Sequence, residues 1–182
     1  MGPLNARLLV VGLAPGLRGA NRTGVPFTGD ASGDWLFEAL AAFAFTRSGA
    51  PSAADLHDAA ITNAVRCAPP KNRPTGAETA ACRPHLVARI GSMRSLRAIV
   101  ALGRVAHETV LTAFGVRRAA NPFAHGARHV LIDPHRQRRL DLFDSYHCSR
   151  YNVQTGRLSR VAFHSVFAAV RARLDGAEAA DE

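Results

Sequence analysis

Lysine is nearly absent from this chain: Lys71 is the only one, and arginine supplies the rest of its 23 basic side chains. Cysteine occurs three times, an odd number that excludes a closed disulfide framework. No secretory pattern precedes the first apolar stretch, so a reducing, cytoplasmic setting is expected. No apolar run approaches the ~20 residues of a membrane span, and no membrane partner is expected. Acidic residues are also scarce, 14 in all, which leaves a net charge of +9. Guanidinium forks match phosphate oxygens, so nucleic acid is the leading partner implied by this charge. A GC-rich genome that writes Arg for Lys would leave the same excess.

What remains is an ordinary globular composition, 47% hydrophobic and 20% charged over 182 residues. That length suits one domain over 1–182, able to bury a core without staples. The chain is organised around residues 9–16 (LVVGLAPG) and 21–30 (NRTGVPFTGD), a β-branched run that breaks into Gly and Pro before a helical pattern resumes. A strand over 7–13 is apolar on both faces. Ser32 is expected to cap the following helix, which carries Trp35, Leu36, Leu40 and Phe43 at helical spacing.

After a polar approach over 53–58, residues 60–65 read as a second strand, with Asn63 a misplaced amide that must find partners or a ligand. The rigid basic loop Arg66-Cys67-Ala68-Pro69-Pro70-Lys71-Asn72-Arg73-Pro74 follows. Thr75 and Glu78 then have capping-box spacing. A third strand over 98–102 precedes a helix over about 105–114, and a weaker pattern with a possible short strand at 129–132 comes next. A last sheet strand over 140–146 leads into a polar, aromatic loop over 147–157. The final helix, about 159–174, places Val161, Phe163, Val166, Phe167, Val170 and Leu174 on its apolar side, and the tail from Gly176 is expected to fray. Strands alternating with helices predict an α/β, three-layer αβα fold with a mostly parallel sheet. Loops 12–30, 63–74 and 147–157 each follow a strand, so they should gather at one sheet edge as a site.

Together, the stretches GLAPG (12–16), NRTG (21–24) with FTGD (27–30), TNAVRCAPP (62–70) with NRP (72–74), and YHCSRYN (146–152) resemble the uracil-DNA glycosylase superfamily, in particular its family 5, or type b, branch. The likeness covers about residues 7–174 and implies a four-stranded parallel sheet between helices. It further implies excision of uracil, and of other deaminated bases, from DNA by a monomer that flips the base out of the stack. On that resemblance Gly12 and Ala14 floor the pocket and Phe27 stacks on the base. Asn63 reads the pyrimidine edge, and His147 stabilises charge on the departing uracil. Ser149, Arg150, Tyr151 and Asn152 look like the segment that enters the minor groove. Arg22, Arg66, Arg73, Arg150 and Arg157 are candidates for phosphates.

Two departures matter. Ala14 stands where many relatives carry a carboxylate or Asn that orients water. Asp30 is then a candidate for that task, and equally a turn residue before the helix. Relatives in families 4 and 5 also bind a [4Fe-4S] cluster through four cysteines, whereas only Cys67 and Cys82 match here. Either the true start lies upstream or the cluster is lost, with truncation the favoured expectation. The scarcity of lysine argues against Schiff-base lyase chemistry. Two other readings stay open: a uracil-DNA binder without turnover, and a nucleotide-binding α/β protein. The second lacks both the Gly-x-Gly-x-x-Gly and the Gly-Lys-Ser/Thr patterns.

Overall fold

A computed structural model describes residues 1–17, 19–47, 55–133 and 136–181, with side chains up to 176. The polar approach expected over 53–58 begins outside these residues. In chain order the elements are β1 (Leu8–Gly12), α1 (Ala20–Thr23), α2 (Ala31–Ala42), β2 (Ala59–Asn63), α3 (Gly76–Ser92), β3 (Ala98–Leu102), α4 (Arg104–Ala113), β4 (Arg128–Ile132), β5 (Arg139–Ser145), α5 (Arg150–Gln154) and α6 (Arg160–Asp181). Short 3-10 turns at Pro70–Asn72 and Arg118–Ala120 interrupt two of the connections.

The sheet has five strands in the order β2-β1-β3-β5-β4. Every pair is parallel except β4 with β5, which run antiparallel. The expected count of four is therefore corrected to five. The extra member is the edge strand β4, whose Val130 and Ile132 stay about half exposed. An edge strand with one face in water offers only a weak apolar signal.

Alternation along the strands builds two cores. Leu8 and Val10 of β1, with Ile61, Val100 and Phe143, face one layer, while Leu9, Val11, Ile99 and Leu142 face the other. Helices α2 and α6 cover the first layer through Leu36, Leu40, Phe163, Phe167 and Val170. Helices α3 and α4 cover the second through Leu86, Ile90, Val110 and Leu111. Period-two strands buried on both faces need helices on both sides, and that requirement produces the three layers.

Three local expectations are corrected. Helix α2 starts one residue before Ser32 and is capped by Asp30, whose side chain accepts from the Ser32 and Gly33 N–H groups. Val161 is 81% exposed, because two residues along a helix turn it to the face opposite the buried Phe163. The tail does not fray at Gly176: α6 runs on to Asp181, as a small, Ala- and Glu-rich composition allows. The capping box of α3 forms as its spacing predicts, with Thr75 and Glu78 each accepting from the other's backbone N–H.

Candidate active site

Because β1, β2, β3 and β5 are parallel, their carboxyl ends share one edge. There the chain leaves a cavity of about 290 Å³. The turn after β1 contributes Leu13, Ala14 and Gly16, β2 contributes Asn63, and β5 delivers His147 and Ser149. The three loops expected to converge do so.

Phe27 forms one wall of the pocket. Its φ of 57° is left-handed, a costly conformation for an aromatic residue. Close packing holds it there: a Cβ at Gly33 would lie 2.0 Å from the Phe27 carbonyl oxygen, so only glycine lets α2 approach this near. The Phe27 and His147 rings lie 6.0 Å apart and 21° from parallel. Gly12 sits behind Asn63 and Phe27, since a Cβ there would meet Asn63 Oδ1 at 2.5 Å and Phe27 Cζ at 2.6 Å. Gly12→Ala should therefore destabilise the fold by about 1–3 kcal/mol and displace both side chains. Thermal melts with activity assays of that variant would check this, and an unchanged melting temperature with full activity would contradict it.

Two polar atoms are buried here without a partner: Asn63 Oδ1 and His147 Nδ1. Orphaned polar groups cost about 1–3 kcal/mol each, a cost usually met by a ligand at a functional site. Burial pushes the His147 pKa down, against the opposing charge of Asp30, so the ring is neutral near neutral pH. Its loop is anchored by Asn152, whose Nδ2 donates to the His147 carbonyl at 2.8 Å. Cys148 beside it is buried, its thiol pushed up to about 12 by burial, and it donates to the Ser32 carbonyl. It is held as packing, not as a nucleophile.

Asp30 does two things. Its Oδ1 accepts from Ser32 and Gly33 at 3.0 and 3.3 Å, while its Oδ2 lies against Gly16 and Gly19 at the cavity rim. Asp30 thus fills the turn position before the helix, and the same side chain lines the cavity.

The model of the uracil DNA glycosylase superfamily matches residues 1–171. The chain belongs to that superfamily. Among its relatives, the type-5 uracil-DNA glycosylase of Thermus thermophilus is 45% identical over 168 residues, 91% of this chain and 74% of that protein. The type-5 uracil-DNA glycosylase of Pyrobaculum aerophilum is 44% identical over 164 residues, 87% of this chain and 68% of that one. A solved structure, the wild-type SMUG2 of Pedobacter heparinus, superposes with a TM-score of 0.57 over 94% of this chain and 77% of its own. At 16% identity that likeness shows a shared fold.

Around this superfamily pocket lie the remaining candidates. Arg66 and Arg73 stand exposed on the loop after β2, and Arg150 and Tyr151 are exposed on α5. Ser149 caps α5 by accepting from the Asn152 N–H. Arg22 is exposed in the last turn of α1. The Arg157 guanidinium stacks 4.5 Å over the Tyr146 ring, which ties it to the site's rim. The sequence reading missed Asn72, Gly103, Arg104 and Val105, which also line the cavity. Gly103, with a φ of 96°, ends β3 and opens α4, the same strand-glycine-helix signal that marked Gly12.

The cysteines do not form a cluster set. The Arg66 N–H donates to the Cys82 sulfur at 3.5 Å, which brings Cys82 beside the Cys67 segment. Cys148 lies elsewhere, against α2. A four-iron cube needs about four thiolate ligands, so the residues present do not fit one. No step below uses it.

Proposed function

We propose that this protein is a uracil-DNA glycosylase: it flips uracil out of DNA and hydrolyses its N-glycosidic bond, leaving an abasic site. The observation that carries the reading is the pairing of two orphaned buried polar atoms, on Asn63 and His147, with one aromatic wall in a single cavity. A flipped uracil supplies what each lacks. Its flat face lies on Phe27, and its N3–H and O4 meet the Asn63 amide. Its O2 takes a hydrogen bond from His147.

Bond cleavage turns uracil into an anion, so a donor fixed on O2 binds the transition state more tightly than the ground state. A neutral imidazole can play that part, since one of its two ring nitrogens still carries an N–H to donate. Water then attacks the sugar carbon as the base departs. Ala14 offers no side chain to direct it, and Asp30 Oδ2 is the carboxylate at the rim. Asp30→Ser and Asp30→Asn both retain a cap for α2, so they separate the two roles. Both variants should keep the melting temperature and lose about 10²-fold or more in release rate. Retained rate with a retained fold would assign Asp30 to capping alone.

On DNA, the exposed Arg66, Arg73 and Arg150 together with Arg22 are assigned to phosphates, and Arg104 joins them from the start of α4. Tyr151 and Arg150, on the segment that Ser149 and Asn152 hold in place, enter the groove and fill the vacated stack, which suits a 70% exposed aromatic on a short capped helix. A monomer is the expected state. No helix among the described residues is long and apolar enough to cross a membrane, and the expected place of action is the cytoplasm.

The reading is tested by running the reaction in ¹⁸O-water with borohydride present. Hydrolysis predicts free uracil, one ¹⁸O on the abasic sugar and no trapped protein–DNA adduct. An adduct, or binding with the base still attached, would overturn it.

A further inference from the structure

Behind the active-site loop lies a second polar cluster, separate from the uracil pocket. Asp144 on β5 is fully buried. Its Oδ1 pairs with His107 Nδ1 of α4 at 2.7 Å, and its Oδ2 pairs with His129 Nε2 of β4 at 3.0 Å. The other nitrogen of His107 faces the Asn121 carbonyl at 2.9 Å. A carboxylate and a carbonyl are both acceptors, so His107 must donate from both nitrogens, which makes it an imidazolium in a dry site. The three side chains could also meet at a metal ion. However, contacts of 2.7 and 3.0 Å on separate oxygens are hydrogen-bond lengths. Ligands around zinc at ~2.0–2.2 Å would stand further apart.

This cluster fastens three elements beneath His147. His107 lies in the first turn of α4. That helix's cap, Gly103, donates to the Ser145 carbonyl at 2.8 Å and packs against the His147 Cβ. Asn121, Phe123 and His125 belong to one strap that crosses the end of β5. The strap is bound by His107 at Asn121 and by Asp144, whose carbonyl accepts from Gly126 at 2.9 Å. Phe123 packs edge-on against the His107 ring. At the far end of the strap, His125 Nδ1 accepts the Tyr146 N–H at 3.2 Å and its ring stacks on Tyr146. Tyr146 is the residue before His147.

We propose that His107, Asp144 and His129 form a buried ionic triad of positioning residues, which holds α4, β5 and the strap together and so sets the reach of His147 to uracil O2. This rests on the glycosylase reading above. None of the three touches the substrate.

The titratable and charged groups around His107 define its pH behaviour. They are Asp144 from β5, His129 from β4, Glu108 and Arg104 on its own helix, and Arg118, which pairs with Glu108. Burial opposes the charge on His107, but the hydrogen bond and charge of Asp144 outweigh it and hold the pKa above the ordinary histidine value. With the folded pKa raised, the ion pair is fully present below about 6.5 and is lost as pH rises through the folded value.

Nitrogen-15 imidazole spectra of the wild-type protein at neutral pH should show His107 protonated on both nitrogens, and a single-proton tautomer would overturn the triad. Under single turnover on a uracil duplex, His107→Asn and Asp144→Asn should each slow release about 10²-fold with DNA affinity held within a few-fold. The double variant should be no slower than either single one, because they break one unit. Wild-type release should fall on the alkaline side, with that limb absent in His107→Asn. If the buried variants fail to fold, the less buried His129→Gln gives the same loss in smaller measure. Wild-type rates in the variants, or stoichiometric zinc whose removal abolishes release, would overturn the proposal. Absence of release by the wild type would instead sink the glycosylase reading, and the spectra would still decide the triad.

Discussion

His147→Ala should slow uracil release by about 10²–10³-fold under single turnover, with affinity for uracil-containing duplex almost unchanged. On the proposed reading the ring meets the base only where charge develops, so its removal should be felt in the chemical step and not in docking. The pH dependence follows from its burial. The folded pKa lies below the ordinary histidine value, so between about 6.5 and that lower value the unfolded chain binds a proton that the native protein does not. Stability from this group is present above about 6.5 and declines as pH falls through that window. Denaturant melts of wild type and His147→Ala across mildly acidic pH check the sign: the gap between them should shift in favour of the variant as pH drops. A pH-independent gap would contradict a neutral buried ring.

Asn63→Ala carries the second large effect. Two hydrogen bonds to the uracil edge are lost, at about 1–3 kcal/mol for each buried group left unpaired, so kcat/KM should fall by about 10²–10³-fold. Free uracil should raise the wild-type melting temperature, as any ligand selective for the native state does, and leave that of Asn63→Ala unmoved. The loss should also show in KM, which separates Asn63 from His147: one holds the base before the bond breaks, the other acts as it breaks. Equal shifts of both variants by free uracil would contradict that division.

Much of this was legible in the chain itself, for physical reasons. Strands apolar on both faces announce a sheet covered on both sides, and glycine-rich turns after such strands announce a pocket at their carboxyl edge. Asn63 stood out because an amide does not belong in a buried strand without a partner, and the structure leaves its Oδ1 without one. The fifth strand was only a possibility in the sequence because half of β4 faces water. Asp30 displaced Ser32 as the cap of α2, since both residue types accept from helix N–H groups and only backbone geometry chooses between them. The left-handed backbone of Phe27 was not legible either. It depends on Gly33 approaching from a different element, a contact with no local signature. The triad of His107, Asp144 and His129 is assembled from three elements of the sheet and its helices, and no spacing in the sequence could group them.

One cavity, walled by Phe27 and read by Asn63 and His147, is proposed to take uracil out of DNA and cut it free. The most direct measurement is single-turnover release of free uracil, by mass spectrometry, from a duplex carrying one uracil, with wild type, Phe27→Ala, Asn63→Ala and His147→Ala side by side. The wild type should release free uracil, the Asn63 and His147 variants should lose about 10²-fold or more, and Phe27→Ala should also be impaired. Tight, uracil-dependent binding by the wild type without any free base would contradict it.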